Sequence, residues 1–172
     1  MSFIENPLDS VVVTVARLTA GSAMNVIPDA AELRGTIRSL SPAVRDSAVA
    51  RFRQIVEATA AAFGTRAEIQ FGRGYPVLHN EERSVALVCE AAEAVVGPGA
   101  LVTDVPPSMG AEDFAFYLER TAGAMWRLGL GRGRLEDRPG LHQAHFDFPD
   151  EVIPIAVRMH CEIASRCLRC LA

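Results

Sequence analysis

The hydrophobic residues change their spacing near residue 40, and this change constrains the fold more than any other feature. The stretch SVVVTVARL, residues 10–18, is apolar and rich in β-branched residues, which is typical of a strand. In the stretch AELRGTIRSL, residues 31–40, mainly apolar or small side chains alternate with polar side chains. This alternation predicts a second strand with one polar side. From residue 41 the apolar positions follow helical spacing. The sequence therefore predicts an antiparallel strand pair joined by a long loop and followed by a helix.

The predicted helix begins with clear start signals. Ser41 is a natural N-cap and Pro42 suits the first helical turn. The next stretch, residues 65–78, predicts another strand that glycines interrupt. Strand, strand, helix and strand make up the last three quarters of a ferredoxin-like βαββαβ sandwich, whose opening βα unit would lie upstream. We therefore expect a truncated α+β domain of this kind over residues 1–76.

The second part of the chain, residues 77–172, has a different pattern. Its predicted elements are helices over 80–97, from 112 and from 151, with short strands near 101–105 and 124–130. Asn80 is the expected cap of the first of these helices. Alternating helices and strands are typical of an α/β domain, and the number of strands is small for a complete sheet. The expected fold class is therefore α/β, with residues 77–172 as the C-terminal segment of a larger domain.

The composition fits a soluble globular protein. Of the 172 residues, 49% are hydrophobic and 22% are charged, which suffices for a buried core. The net charge is −4 and no run of basic residues is present, so the sequence predicts no nucleic-acid binding. No secretory signal pattern and no long apolar stretch occur. We therefore expect a cytoplasmic protein that does not associate with a membrane.

Three of the four cysteines lie near the C-terminus. Cys161, Cys167 and Cys170 are there, and Cys89 lies earlier. They could form a metal or redox cluster, or they could be free thiols on a terminal helix. A tetrahedral zinc site needs two pairs of ligands, and the second pair is missing. The sequence therefore favours free thiols.

The stretch PPSMGAEDF contains a candidate acidic site. Gly110 allows close approach of the backbone to another group, and Glu112 and Asp113 follow at a predicted helix start. Carboxylates at that position are favoured by the helix dipole, so simple capping is one interpretation. Placement of one carboxylate in a functional site is the other.

The stretch GLHQAHFDFPDE contains two of the four histidines. His142 follows a glycine and a leucine in a predicted loop, where a neutral imidazole is a good ligand for Zn, Mn, Co or Ni. His145 is either a second ligand or a surface residue. Asp147 and Asp150 either orient an imidazole or cap the last helix.

Two residues of the first domain form a further candidate site. Asn25 lies in the loop between the predicted strands, and Arg38 lies on the second strand. Together they could hold a carboxylate, which Arg binds through a bidentate fork. A turn asparagine and a solvent-facing arginine are the structural alternative.

The order of these motifs resembles one protein family. Asn-Val-Ile-Pro-Asp, Gly-Thr-Ile-Arg, Met-Gly-Ala-Glu-Asp-Phe and Leu-His-x-x-x-Phe-Asp-Phe follow one another over nearly the whole chain. This order resembles the amidohydrolase branch of the metal-dependent aminoacylase/carboxypeptidase family, which includes hippurate hydrolases, N-acyl-amino-acid hydrolases and auxin-conjugate hydrolases. The resemblance implies a zinc-peptidase-like catalytic domain with two metal ions. It also implies a ferredoxin-like lid through which such enzymes form homodimers.

The resemblance also implies roles for individual residues. His142 matches the last metal ligand, and Glu112, with Asp113, matches the catalytic acidic motif. The matching substrate-binding residues are Asn25, Arg38 and Gly110. The implied substrate is an N-acyl amino acid similar to hippurate, or a small peptide.

Most of the family's metal ligands have no counterpart in this sequence. The Cys-Gly-His-Asp motif, the Glu-Glu pair and the His-His pair would all lie upstream of the lid. Glu81 and Glu82 follow the lid and open a helix, so they do not replace that pair. We expect the chain alone to be inactive and to bind no metal or little. It could be one half of a two-chain hydrolase completed by an N-terminal half, or a non-catalytic dimerisation module.

Overall fold

The structure is a computed structural model, and it describes residues 10–131 and 139–171. These residues form two compact units. Unit 1 comprises the chain up to Leu78 together with Pro106–Phe116, and unit 2 comprises His79–Val105 and the chain from Tyr117 onward. Each unit is described by itself.

Unit 1 contains an antiparallel strand pair, as the sequence predicts. Strand β1, Val11–Ala20, pairs with strand β2, Ala31–Ser39. Val15 pairs with Gly35 and Arg17 pairs with Arg34, so Ala16 is an extra residue and forms a β-bulge. The bulge changes which residues of β1 lie on each side of the pair.

One side of the strand pair is mainly apolar, and we call it the apolar face. Cross-strand pairing and alternation along each strand define its members. They are Val11, Val13, Val15, Leu18 and Ala20 of β1, with Ala31, Leu33, Gly35, Ile37 and Ser39 of β2. The face is half-buried at Val13 and Ile37, whereas Val15 is 53%, Leu18 67% and Leu33 58% exposed.

Gly35 is needed where the two strands approach most closely. A Cβ atom at this position would lie 2.0 Å from the carbonyl oxygen of Thr14 on the paired strand. Since the obstacle is backbone, no change of side-chain rotamer would relieve the contact. The glycine therefore fixes the spacing of the strands next to the bulge.

Helix α1, Pro42–Ala62, packs against both strands. Ser41 has the extended backbone of an N-cap, as predicted, but its side chain makes no capping hydrogen bond. The helix ends at Gly64, which adopts a positive φ of 67° that is favourable for glycine. Ala48 is the buried residue of the helix.

The strand predicted over residues 65–78 is not formed, and this stretch contains neither helix nor strand. A strand requires a paired neighbour, and among the described residues β1 and β2 pair only with each other. Instead, aromatic rings attach the stretch to unit 1. Phe71 packs edge-on against Phe52, with ring centroids 6.1 Å apart, and the Arg53 guanidinium lies 5.5 Å from the Phe71 ring.

Unit 2 is built mainly from two helices. Helix α2, Glu82–Val96, packs against helix α4, Ile153–Leu171, and a 3₁₀ turn, Asp150–Val152, leads into α4. Ala91, Ala92 and Met159 are buried between them. Side chains packed around this core are Val88, Val95, Leu101, Trp126 and Ile163. Both helices are predicted by the sequence, and both are confirmed.

The cap of α2 differs from the prediction. The N-cap is Glu81, whose carboxylate accepts hydrogen bonds from the backbone N–H groups of Arg83 and Ser84. A hydrogen bond from the Ser84 hydroxyl, together with these two from the backbone, lowers the pKa of the Glu81 carboxyl. Asn80 instead pairs with the backbone of Met125, donating to its carbonyl at 3.0 Å and accepting from its N–H at 2.8 Å. The Asn80 side chain thus satisfies the backbone N–H and carbonyl of Met125, which a neighbouring strand could otherwise pair with.

Two further strands and one helix start are also predicted incorrectly. Residues 101–105 and 124–130 form no strand within the described chain, since no backbone neighbour pairs with them there. The helix expected from Glu112 is a turn followed by a short helix α3, Ala115–Leu118. No helix among the described residues is long and apolar enough to cross a membrane.

Candidate functional site

Arg38 contacts the stretch that contains Gly110 and Glu112. Its Nη1 donates a hydrogen bond of 2.9 Å to the carbonyl oxygen of Met109. Arg38 is half-buried, and no carboxylate of the described residues forms an ion pair with it. The structure therefore brings two of the sequence-predicted segments together and leaves a partly buried cation without an anionic partner.

The stretch Pro106–Phe116, which we call the acidic loop, is organised by short local hydrogen bonds. The N–H of Gly110 donates to the Ser108 hydroxyl oxygen at 3.2 Å. The half-buried Glu112 carboxylate accepts a hydrogen bond of 3.3 Å from the N–H of Phe114. Glu112 thus serves as a local cap in this conformation, and Asp113 is exposed.

Asn25 lies in the exposed loop between β1 and β2. Its neighbours Met24 and Ile27 are almost fully exposed as well. No hydrogen bond links Asn25 to Arg38 or to the acidic loop in the described structure. The geometry therefore does not join Asn25 to the rest of the predicted site.

His142 lies in unit 2, in a turn that its neighbours close. Gln143 donates its N–H to the Gly140 carbonyl, and its side chain accepts from the Gly140 N–H at 3.0 Å. His142 and His145 are both exposed. Asp147 accepts a hydrogen bond from the N–H of Phe148, and the 3₁₀ turn that begins at Asp150 has no side-chain cap, so this bond is local and does not cap the last helix.

The described residues do not assemble a metal centre. Across residues 10–131 and 139–171, no group of three or more His, Cys, Asp or Glu side chains could hold a metal ion. A catalytic zinc site uses about three protein ligands, so His142 alone does not fit one. Cys89, Cys161 and Cys167 are free thiols, and the Cys170 side chain lies outside the described residues.

Sequence reasoning missed an open apolar groove of about 600 Å³ in unit 2. Its wall is formed by α4 and by the stretches on either side of residues 132–138. The lining side chains are Leu128, Leu130, Leu141, Phe146, Phe148, Val152, Ile153, Ala156, Val157, His160 and Cys161. The signal was available, because Val152, Ala156 and His160 recur at intervals of four and therefore share one helix face.

Comparison with known proteins identifies the chain. The profile of peptidase family M20/M25/M40 matches residues 4–166. The chain belongs to this family. The resemblance inferred from the motif order is therefore confirmed at the level of the M20 family.

Two curated relatives of this M20 chain are deacetylases. It is 39% identical over 119 residues to the N-acetyl-L-cysteine deacetylase of Bacillus subtilis strain 168, covering 69% of this chain and 28% of that protein. It is 33% identical over 159 residues to the N-acetyldiaminopimelate deacetylase of Anoxybacillus flavithermus, covering 90% of this chain and 39% of that protein. These relatives are named for N-acetyl amino acids rather than for hippurate or auxin conjugates.

A solved structure shows the same partial coverage. The Bacillus subtilis YXEP protein, described as a dinuclear metal binding peptidase from the M20 family, matches with a TM-score of 0.68 and 27% identity. The match covers 92% of this chain and 42% of that one. The mixed α/β fold of the described residues therefore corresponds to part of an M20 peptidase, and the chain spans well under half the length of these relatives.

Proposed function

We propose that this chain forms part of an M20-family amidohydrolase that removes the acyl group from an N-acyl amino acid. The family match over residues 4–166 carries this proposal. The names of the two deacetylases support acetyl as the acyl group, in preference to the benzoyl group of hippurate. Substrates of this class have a free carboxylate beside the amide that is cleaved.

In this proposal residues 1–76 belong to a ferredoxin-like lid and residues 77–172 belong to the catalytic domain. The order β1, β2, α1 agrees with the middle of a βαββαβ sandwich. The apolar face supports the same proposal, because Leu18 and Leu33 lie directly opposite each other and are exposed. Such a face normally packs against another layer, which the missing lid elements would provide.

Arg38 is the proposed anchor for the substrate carboxylate. A half-buried guanidinium without a carboxylate partner has lost part of its hydration and gains from binding an anion. Its bond to Met109 uses one of five N–H donors, which leaves donors for a bidentate contact. Asn25 and Gly110 are proposed to contact the same substrate through its carbonyl or carboxylate.

Glu112 and His142 are the proposed catalytic and metal-binding residues. Glu112 is half-buried and lies in the acidic loop that Arg38 contacts, which supports a position near the substrate. His142 is exposed on a turn and would supply one imidazole ligand. The remaining ligands of a two-ion centre would come from outside the described residues, because these residues alone do not fit such a centre.

A chimeric enzyme tests the proposal directly. The corresponding region of the Bacillus subtilis N-acetyl-L-cysteine deacetylase is replaced by this chain, and acetate release from N-acetyl-L-cysteine is measured together with bound metal. We expect activity in the chimera and none in the isolated chain. We also expect His142→Ala to reduce chimera activity by at least about 100-fold, because even groups behind metal ligands cost about 10-fold to 100-fold.

His145→Ala is the matched control, since His145 lies three positions away in the same exposed stretch. Equal loss of activity with metal retained in both variants would show that the turn is required, whereas equal loss of activity and of metal would show that both histidines are ligands. A folded chimera that binds metal but releases neither acetate from N-acetyl-L-cysteine nor benzoate from hippurate would contradict the proposed function. Activity restored by adding an N-terminal half as a separate chain would identify a two-chain hydrolase.

A second candidate, a dimerisation module, is favoured by the exposed part of the apolar face. Val15, Leu18 and Leu33 present adjoining apolar side chains next to the bulge. We expect sedimentation of the purified chain to show self-association that Leu18→Glu abolishes. Val102→Glu, which replaces an exposed valine of unit 2, is the control. A monomer at all concentrations would exclude this role.

A further inference from the structure

The hydrogen bond from Arg38 to Met109 spans much more of the sequence than its neighbours do. The two residues are 71 positions apart. Other side-chain bonds of unit 1, such as Arg34 to Glu32 and Arg51 to Gln54, join near neighbours. A bond between near neighbours stabilises a local conformation, whereas the Arg38 bond restrains one segment relative to another.

The side-chain hydrogen bonds within the acidic loop are local. Its hydrogen bonds from Gly110 to Ser108 and from Phe114 to Glu112 each join residues two positions apart, so they determine shape only. A second long-range attachment lies at the end of the loop, at Phe116. The Tyr75 ring lies 5.7 Å and the Arg73 guanidinium 5.1 Å from the Phe116 ring.

We propose that Arg38 is a positioning residue that holds the middle of the acidic loop through the Met109 carbonyl. The guanidinium fits this task because it presents several fixed donors and is always charged. It is also half-buried, so competition from water at the carbonyl is reduced. The position of Glu112 in the site would then depend on Arg38, and this consequence rests on the proposed function. The restraint on the loop does not rest on it.

A single NMR signal can report on this restraint in the whole chain. Met109–Gly110 is the only Met-Gly peptide bond in the sequence. Labelling methionine with carbonyl ¹³C and glycine with ¹⁵N therefore gives one carbonyl–nitrogen correlation. Its carbon belongs to the Met109 carbonyl, whose oxygen accepts the Arg38 bond, and its nitrogen belongs to the Gly110 N–H that donates to Ser108. No substrate or metal is added, so the result does not depend on activity.

Three variants and one control separate the possible roles of Arg38. Arg38→Met removes the donors, and we expect the Met109 carbon to shift upfield. We also expect the Gly110 N–H to exchange with water at least about tenfold faster, from loss of one charge-assisted hydrogen bond. Arg38→Lys keeps a long charged donor and is expected to restore most of the wild-type signal. Arg38→Gln keeps a polar side chain that is too short to reach the carbonyl, so we expect the same changes as in Arg38→Met. It provides a second test in case the Met variant folds poorly. Arg34→Gln is the control, because Arg34 lies on the same strand, is bonded to Glu32 and precedes Gly35, where a methionine would add a second Met-Gly bond.

The pattern across these proteins decides the proposal. A change in the Met and Gln variants, with rescue by Lys and none in the Arg34 control, supports it. An unchanged signal in both Arg38→Met and Arg38→Gln would overturn it and leave Arg38 with a role in substrate binding alone. An equal change in the Arg34 control would also overturn it, because the effect would then come from general loosening of the strands.

Discussion

Substitution of Gly35 by alanine is expected to destabilise unit 1 strongly. The new Cβ atom would lie 2.0 Å from the carbonyl oxygen of Thr14, 3.0 Å from its carbonyl carbon and 3.1 Å from the Val15 Cα atom. The oxygen must therefore retreat by more than about 1 Å, and it belongs to the backbone of a paired strand. Overpacking and loss of a neighbouring ladder bond together cost about 3–4 kcal/mol. Reduced freedom of the unfolded chain offsets about 0.4–1 kcal/mol of this, so we expect a net loss of about 2–3.5 kcal/mol.

Urea unfolding followed by far-UV circular dichroism measures this loss. Gly72→Ala is the control, because a Cβ atom at Gly72 would meet nothing within 4 Å and the residue lies in the same unit. We expect the free energy of unfolding of Gly72→Ala to stay within about 0.5 kcal/mol of wild type. If Gly35→Ala matches Gly72→Ala, the close approach at the bulge is not a constraint and the argument from strand spacing is wrong.

Two further predictions concern unit 2. Hydrogen bonds lower the pKa of Glu81 in the folded state, so its contribution to stability is complete above the ordinary value of 4.5 and is lost as the pH falls through the lower folded value. Glu81→Gln should therefore flatten the acid side of the curve of melting temperature against pH. Ala91→Val adds volume at a residue that is 0% exposed in the core and is expected to cost about 1–3 kcal/mol in urea unfolding, whereas Ala94→Val on the exposed side of the same helix should be nearly neutral.

The sequence predicted those elements that a short stretch of chain specifies by itself. The alternation of residues 31–39 and the helical spacing after Ser41 identified β2 and α1 to within a few residues. The predicted strands at 65–78, 101–105 and 124–130 failed for a common reason. Side-chain pattern indicates an extended preference, but a strand also needs a backbone partner, and none is paired with these stretches in the described chain.

The candidate site was predictable in its parts but not in its assembly. Motif order led to the correct family, since it depends on residue identity alone. The bond from Arg38 to Met109 has no local signature, because it depends on how separate segments pack. The cap of α2 was misassigned for a related reason. Asn80 is a good capping residue by type, but the Met125 backbone binds both ends of its amide, so Glu81 caps the helix instead.

The bulge at Ala16 changes the alternation of side chains along β1. Up to Val15 the odd-numbered residues lie on the apolar face, and from Arg17 onward the even-numbered residues do. Deleting Ala16 would therefore remove the bulge without turning either neighbour, because Arg17 would follow Val15 in regular alternation and Leu18 would stay opposite Leu33 on the apolar face. A one-residue gap at this point in an alignment of relatives would mark a real difference in strand geometry. A substitution in β1 therefore affects the apolar face at odd-numbered positions before Ala16 and at even-numbered positions after it.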